Sequence, residues 1–126
     1  MKLNVDCMRD ILLTMESYSY GEVSDIDTLH DALPNYTEEE ISYACLKMDE
    51  AGFIDILSAD MTGSFIPTVV QVTDITYEGH QFLENIRQQN IWNKTKETAK
   101  KLGSFSISAL QAISQQIILN MINNIP

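Results

Sequence analysis

The chain has 126 residues, 44% of them hydrophobic, so it can bury a core without disulfides or bound metal. Its net charge of −10 argues against simple electrostatic attraction to nucleic acid, which needs clustered Lys and Arg. Two widely separated cysteines, Cys7 and Cys45, lie on apolar helical faces and predict buried reduced thiols. The N-terminus has no long apolar run, so no signal peptide is expected and a cytoplasmic protein is predicted.

The charge is unevenly distributed along the chain. Residues 1–90 hold 17 acidic and four basic side chains, whereas residues 91–126 hold four lysines and one acid. From residue 102 to the end there is no charged side chain. An acidic body followed by a basic and then an uncharged tail indicates two parts with different roles.

The first two helices are predicted from apolar spacing and from capping residues. Residues 4–18 carry apolar side chains at helical spacing behind Asn4, a suitable N-cap. A short second helix is expected over residues 28–33, with Asp27 as its cap and Pro34 ending it.

The third predicted helix has the clearest local signal. The sequence Thr37-Glu38-Glu39-Glu40 has the pattern of a capping box with Thr37 as N-cap. The helical spacing predicts a buried stripe formed by Ile41, Ala44, Cys45 and Met48. Gly52 is placed to end the helix in a left-handed conformation.

A change of period then predicts a hairpin and a fourth helix. Strand-like stretches over residues 53–57 and 65–73 flank a turn-rich segment with Gly63, and Pro67 favours an edge or a strand start. A helix follows from Thr76 to about Gln89. Three helices, a hairpin and a closing helix are the order of a winged helix-turn-helix. The predicted fold is therefore mainly α with a small β-hairpin, as a winged-helix domain over residues 1–90.

Residues 91–126 are predicted to form a helical C-terminal extension. A basic helix over residues 91–102 is interrupted by Gly103, and Ser104 or Ser106 can cap a last helix of about 18 residues.

Three stretches resemble a family of bacterial and phage proteins known only as a domain of unknown function (2513). They are Met1-Lys2-Leu3 with Arg9-Asp10-Ile11-Leu12-Leu13, then Glu50-Ala51-Gly52-Phe53-Ile54, and Thr76-Tyr77-Glu78-Gly79-His80-Gln81-Phe82-Leu83-Glu84 followed by Ile91-Trp92-Asn93-Lys94-Thr95-Lys96. The resemblance covers most of residues 1–102. It implies a winged-helix-like fold and a bacterial or prophage origin, and it implies no activity. At Leu46 the relatives tend to have a polar or basic residue, which further weakens a DNA-reading role for this chain.

The outer face of the third helix is the first candidate contact surface. In helix-turn-helix proteins this element enters the major groove, where Arg, Lys, Asn or Gln read the bases. Residues 37–51 instead carry five acids and one base, Lys47. Tyr43 and Leu46 are expected on the outer face beside acids, which suits a protein contact better than a DNA groove.

The C-terminal extension is the second candidate. An anionic partner can be contacted by Trp92 together with Lys94, Lys96, Lys100 and Lys101. Alternatively, this helix folds back with Trp92 in the core. The last helix has an apolar stripe formed by Ile107, Leu110, Ile113, Ile117 and Met121. Such a stripe predicts self-association in a homo-oligomer, with docking on its own domain as the alternative. Membrane attachment is disfavoured because the helix lacks Lys and Arg.

No pattern of catalytic, metal-binding or cofactor-binding residues is found in the sequence. It has no Gly-rich phosphate loop, no nucleophile-elbow string, no Cys-x-x-Cys and no His pair at ligand spacing. The sequence therefore predicts a binding module that is not an enzyme and uses no cofactor. Its expected function is protein binding or self-association, with a regulatory role open. The alternative is a DNA-binding transcription regulator.

Overall fold

The computed structural model describes residues 1–125, in which helices predominate. The helices are α1 (Val5–Glu16), α2 (Ile26–Ala32), α3 (Glu38–Glu50), α4 (Tyr77–Ile86), α5 (Gln89–Leu102) and α6 (Ile107–Asn123). Strands β1 (Ile54–Ala59) and β2 (Thr68–Ile75) lie between α3 and α4 and pair antiparallel. The expectation of a mainly helical fold with a small hairpin is therefore confirmed.

Helices α1 and α3 are joined at their N-terminal ends by a hydrogen-bonded set of caps. The Asn4 side chain accepts from the Cys7 backbone N–H at 3.0 Å and donates to Glu40 Oε2 at 3.0 Å. The predicted capping box is present, with Glu40 N–H donating to Thr37 Oγ1 and Thr37 N–H donating to Glu40 Oε1. These bonds satisfy N–H groups that a helix start leaves without partners. They also lower the pKa of Glu40, the Asn4 hydrogen bond contributing most.

Helix α2 begins earlier than the sequence indicates. Asp25 is its N-cap and accepts from the Thr28 backbone N–H at 2.8 Å, so the expected cap at Asp27 is wrong. Asp25 and Asp27 both fit a helix start. Asp25 is the N-cap because the residue before it, Ser24, is already held in an extended bridge. Ser24 pairs antiparallel with Val72 on β2, through backbone bonds of 3.0 and 2.7 Å.

The hairpin is irregular and its second strand starts late. Register shifts occur between Asp55 and Ile56 and between Leu57 and Ser58, and such bulges increase local twist. Strand β2 starts at Thr68 instead of residue 65, directly after Pro67, which has no N–H to donate to a ladder. Residues 60–67 therefore form a long hairpin loop, and all eight are exposed.

Two glycines shape the passage from α3 into the hairpin and on to α4. Gly52 has a φ of +80°, as expected for the residue that ends α3. Gly79, in the first turn of α4, lies so close to the Phe53 carbonyl oxygen that a Cβ atom there would overlap it. The Thr76 hydroxyl accepts from the Gly79 N–H at 3.0 Å and so caps α4.

The chain divides into two compact units, Met1–His80 and Gln81–Pro126, with the boundary inside α4. The first unit has a core of fully buried side chains, among them Met8, Ile11, Leu12, Leu29, Ile41 and Met48. In the second, α5 and α6 pack together, and Gly103 ends α5 in a left-handed conformation. The division into domains at residue 90 remains a prediction about independent folding. In the part of the chain described, no helix is both long and apolar enough to cross a membrane.

Candidate binding groove beside helix α3

Helix α3 divides into the two faces that its sequence predicts. Its buried residues are Ile41, Ala44, Cys45 and Met48, which is the predicted stripe. On the outer face Glu39 and Glu50 are exposed, whereas Tyr43 and Leu46 are only half-buried. The expected full exposure of this apolar pair is therefore corrected, because part of each side chain lies beside the hairpin loop.

Tyr43 and Leu46 line a groove between α3 and the hairpin. One depression of about 490 Å³ is bounded by α3 and by hairpin residues that include Ile66, Pro67 and Val69. A second depression of about 170 Å³ extends along α3 to Asp49 and Glu50. Both are lined by Tyr43, Leu46, Ile66 and Pro67, so they form one surface, hereafter the α3 groove. Its volume and its apolar floor suit bound side chains of a partner.

The charges around the α3 groove are mainly negative. Glu38 and Glu39 line its larger depression, and Asp49 and Glu50 line the smaller. Lys47 also lines the smaller depression, but its Nζ lies 2.9 Å from Glu50 Oε2 and 5.3 Å from the Tyr43 ring centroid. The hydrogen bond to Glu50 raises the pKa of Lys47. Lys47 thus pairs with Glu50 of its own helix. The rim of the groove therefore remains mainly acidic.

The hairpin loop carries exposed apolar side chains that the sequence reasoning missed. Phe65 is fully exposed, Ile66 is 60% exposed and Met61 is 56% exposed. A Met61–Ser64 turn with Gly63 at a φ of +83° leads directly into them. The signal was the string Phe65-Ile66-Pro67, but it fell within the strand-like stretch predicted over residues 65–73. Exposed apolar clusters of this kind mark contact surfaces.

The basic helix α5 buries the aromatic residue that was a candidate for binding. Trp92 is 1% exposed, so its ring is unavailable to a partner. The structure therefore agrees with the alternative in which Trp92 lies in the core. Lys96 Nζ lies 5.5 Å from the Trp92 ring centroid, and Lys101 Nζ lies 3.4 Å from Glu97 Oε1. Lys94 and Lys100 are exposed. Lys96 thus lies against the Trp92 ring, while Lys94, Lys100 and Lys101 are exposed without an accessible Trp92 ring that could join them in binding a partner.

The apolar stripe of α6 is divided between core and surface. Leu110 and Ile113 are buried, Ile107 and Ile117 are half-buried, and Met121 is 45% exposed. Leu110 and Ile113 are therefore not available to a second copy, which corrects the predicted self-association set. The exposed apolar side chains lie in the last two turns, at Leu119, Met121 and Ile122, and just beyond the helix, at Ile125. Ser106, one of the two predicted caps, accepts from the Ala109 N–H.

Among the described residues, the other reactive side chains are arranged less distinctively than those of the α3 groove. His80 is exposed and lines a depression of about 360 Å³ with Glu16, Glu22 and Asp74 among its walls. Within residues 1–125, no cluster of three or more His, Cys, Asp or Glu side chains is placed to hold a metal ion. Cys7 and Cys45 are buried and free. Burial raises the pKa of each of these thiols to about 12.

The comparisons with known proteins find relatives that cover nearly the whole chain. A family described as "Hypothetical protein (DUF2513)" matches residues 2–106. An uncharacterized protein of Haemophilus influenzae is 31% identical over 123 residues, which are 97% of this chain and 99% of the relative. No solved structure matches. The family match spans every residue of the α3 groove except Met1, and it ends just before α6 begins at Ile107.

Proposed function

The chain belongs to the DUF2513 family, and we propose that it acts as a non-catalytic, protein-binding module of bacterial or prophage origin. The observation that carries this proposal is the α3 groove, whose floor is apolar and whose rim is acidic. Two further exposed apolar side chains of the adjoining hairpin loop, Met61 and Phe65, enlarge the apolar area. Apolar surface at the centre of a patch, with polar groups around it, is the usual composition of a protein interface.

We assign a winged-helix fold to the Met1–His80 unit. Its support is the chain order of two helices, a third helix and a hairpin, followed by α4. The Ser24 bridge to Val72 adds a short extended segment on the far side of β2 from β1. In this assignment α3 takes the position of the recognition helix and the hairpin is the wing, so the α3 groove lies where helix-turn-helix proteins meet DNA.

The chemistry of this surface favours protein over DNA. A DNA-binding surface gains most of its affinity from Lys and Arg that neutralise phosphates. The α3 groove has four carboxylates and a lysine that is paired to one of them, and the hairpin from Phe53 to Thr73 has no Lys or Arg. Tyr43 and Leu46 offer an aromatic and an aliphatic contact in place of base-reading side chains.

Affinity capture with matched variants tests the proposal. The full chain, Leu46→Asp and Leu57→Asp are each used to capture material from the native host, and proteins and nucleic acids are identified in the same eluate. Leu57 is 53% exposed and lies outside the α3 groove, so it controls for a surface charge elsewhere. We expect a protein that the full chain and Leu57→Asp retain and that Leu46→Asp loses. A specific DNA sequence enriched by the full chain would instead support a transcription regulator.

We also propose self-association through the exposed end of α6. Leu119, Met121 and Ile122 are exposed on a helix that has no charged side chain, and Ile125 is exposed directly after it. A second copy of the same helix offers an equally apolar and uncharged surface, so no charge is desolvated when the two meet. Gln116 and Asn120 lie on the same helix and already bond each other at 3.1 Å. Their side-chain amides can also form hydrogen bonds across such an interface.

A further inference from the structure

The shape of the α3 groove limits what can occupy it. Its two depressions share Tyr43, Leu46, Ile66 and Pro67 and run along α3 from Glu38 to Glu50. Twelve helical steps correspond to roughly 18 Å. An extended peptide covers this length with about five or six residues at ~3.3 Å each. A short linear segment therefore matches the groove in length, and every second side chain of an extended segment can face the apolar floor.

The ends of the α3 groove carry like charge. Glu38 and Glu39 lie at one end, in the first turn of α3, and Asp49 and Glu50 lie at the other, in its last turn. Glu38 Oε1 is also 3.8 Å from His30 Nδ1, and Lys47 is paired with Glu50. Lys47 is the single Lys or Arg among the residues that line the two depressions. The electrostatic complement of this arrangement is an apolar centre with a positive charge on each side.

We propose that the occupant of the α3 groove is a short segment of a partner protein that carries large apolar side chains flanked by Lys or Arg. This inference rests on the proposed protein-binding function and names the chemistry of the partner. The apolar floor, from Tyr43, Leu46, Ile66 and Pro67, supplies most of the affinity because it is removed from water. The exposed carboxylates set the preference for basic flanks and accelerate association, and salt weakens their effect.

Selection from a library of random twelve-residue peptides displayed on phage, with the immobilised full chain as bait, tests this composition. We expect the recovered peptides to share large apolar residues with Lys or Arg on both sides. Synthetic fluorescein-labelled copies are then titrated by fluorescence anisotropy. Leu46→Ser should weaken binding by about tenfold or more, and Leu57→Ser, its control, should change binding by less than about twofold.

A second pair of variants isolates the charge. Glu38→Gln combined with Glu39→Gln should weaken binding by about threefold to tenfold at low salt, and the difference should shrink as salt rises. Asp27→Asn combined with Asp31→Asn removes the same charge from α2, whose two aspartates are exposed and outside the groove, and should have little effect.

Four outcomes would overturn the inference. Recovered peptides that are acidic or neutral but depend on Leu46 would show that the groove binds protein of another composition, which leaves the proposed function standing. Equal effects of Leu46→Ser and Leu57→Ser would place the peptides elsewhere on the chain. Failure to enrich any peptide, or binding of the full chain to phosphatidylglycerol vesicles that Leu46→Ser abolishes, would exclude a short protein segment as the occupant.

Discussion

Two positions on α3, two residues apart, should respond very differently to the same substitution. Met48 is completely buried, whereas Leu46 is half-buried in the α3 groove. Truncation of a buried methionine to alanine costs about 2–5 kcal/mol. The entropy of unfolding of a unit of 80 residues is roughly 0.17 kcal/mol per kelvin. Each kcal/mol of lost stability therefore lowers the melting temperature of the unit by about 6 °C. Met48→Ala should therefore lower the melting temperature by about 12–30 °C.

The same calculation predicts a small effect at the neighbouring position. Leu46→Ala removes a side chain that is still partly in water, so it should cost less than about 1 kcal/mol, or about 6 °C. Aspartate enlarges the contrast, because an unpaired buried charge costs several kcal/mol and total stability is only about 5–15 kcal/mol. Met48→Asp should lose its cooperative transition and Leu46→Asp should keep it. Far-UV circular dichroism during heating measures all four variants, and equal losses at the two positions would show that the faces of α3 are assigned wrongly.

Three further predictions concern the thiols, the start of α4 and the end of α6. Cys7 and Cys45 should not react with Ellman's reagent at pH 8 in the folded protein, because their raised pKa values keep them as buried thiols, and both should react in guanidinium chloride. Gly79→Ala should destabilise the fold by about 2 kcal/mol or more, measured by urea unfolding, because a Cβ has no room there. Leu119→Gln combined with Ile122→Gln should reduce an oligomer to a folded monomer in light scattering.

Control variants and contrary outcomes test these three predictions. Rapid labelling of either thiol in the native protein would mean that the packing of α1 against α3 opens readily. Gly63→Ala is compared with Gly79→Ala, because Gly63 has open space around it but a positive φ, and it should cost only about 1 kcal/mol. Leu57→Gln controls for the loss of an exposed apolar side chain elsewhere. A full chain that is already monomeric would exclude self-association through α6.

Local signals in the sequence were sufficient for the elements that depend on local chemistry. The capping box at Thr37 and Glu40, the four buried residues of α3 and the left-handed Gly52 are all found where the patterns place them. Each depends on the chain within one or two helical turns, so helical periodicity and capping preferences determine it.

The errors lie where a partner distant in sequence decides the outcome. Asp25 caps α2 because Ser24 is held by Val72, 48 residues away along the chain, which no local pattern reports. In the same way, periodicity identified the apolar side of α6 but could not divide it into a buried first half and an exposed second half. The α3 groove itself depends on Ile66 and Pro67 lying beside Tyr43 and Leu46, a contact between elements that sequence spacing does not reveal.

We propose that the outer face of α3 contacts protein and not DNA. The most direct test of this proposal is selection of duplexes from a randomised DNA library by the full chain at about 150 mM salt, an ionic strength at which surface charges remain partly effective. We expect no enriched sequence and no sub-micromolar binding to any recovered duplex, because four carboxylates surround the groove. Enrichment of one motif that binds tightly and is lost in Lys47→Ala would contradict the account and make α3 a DNA-reading helix.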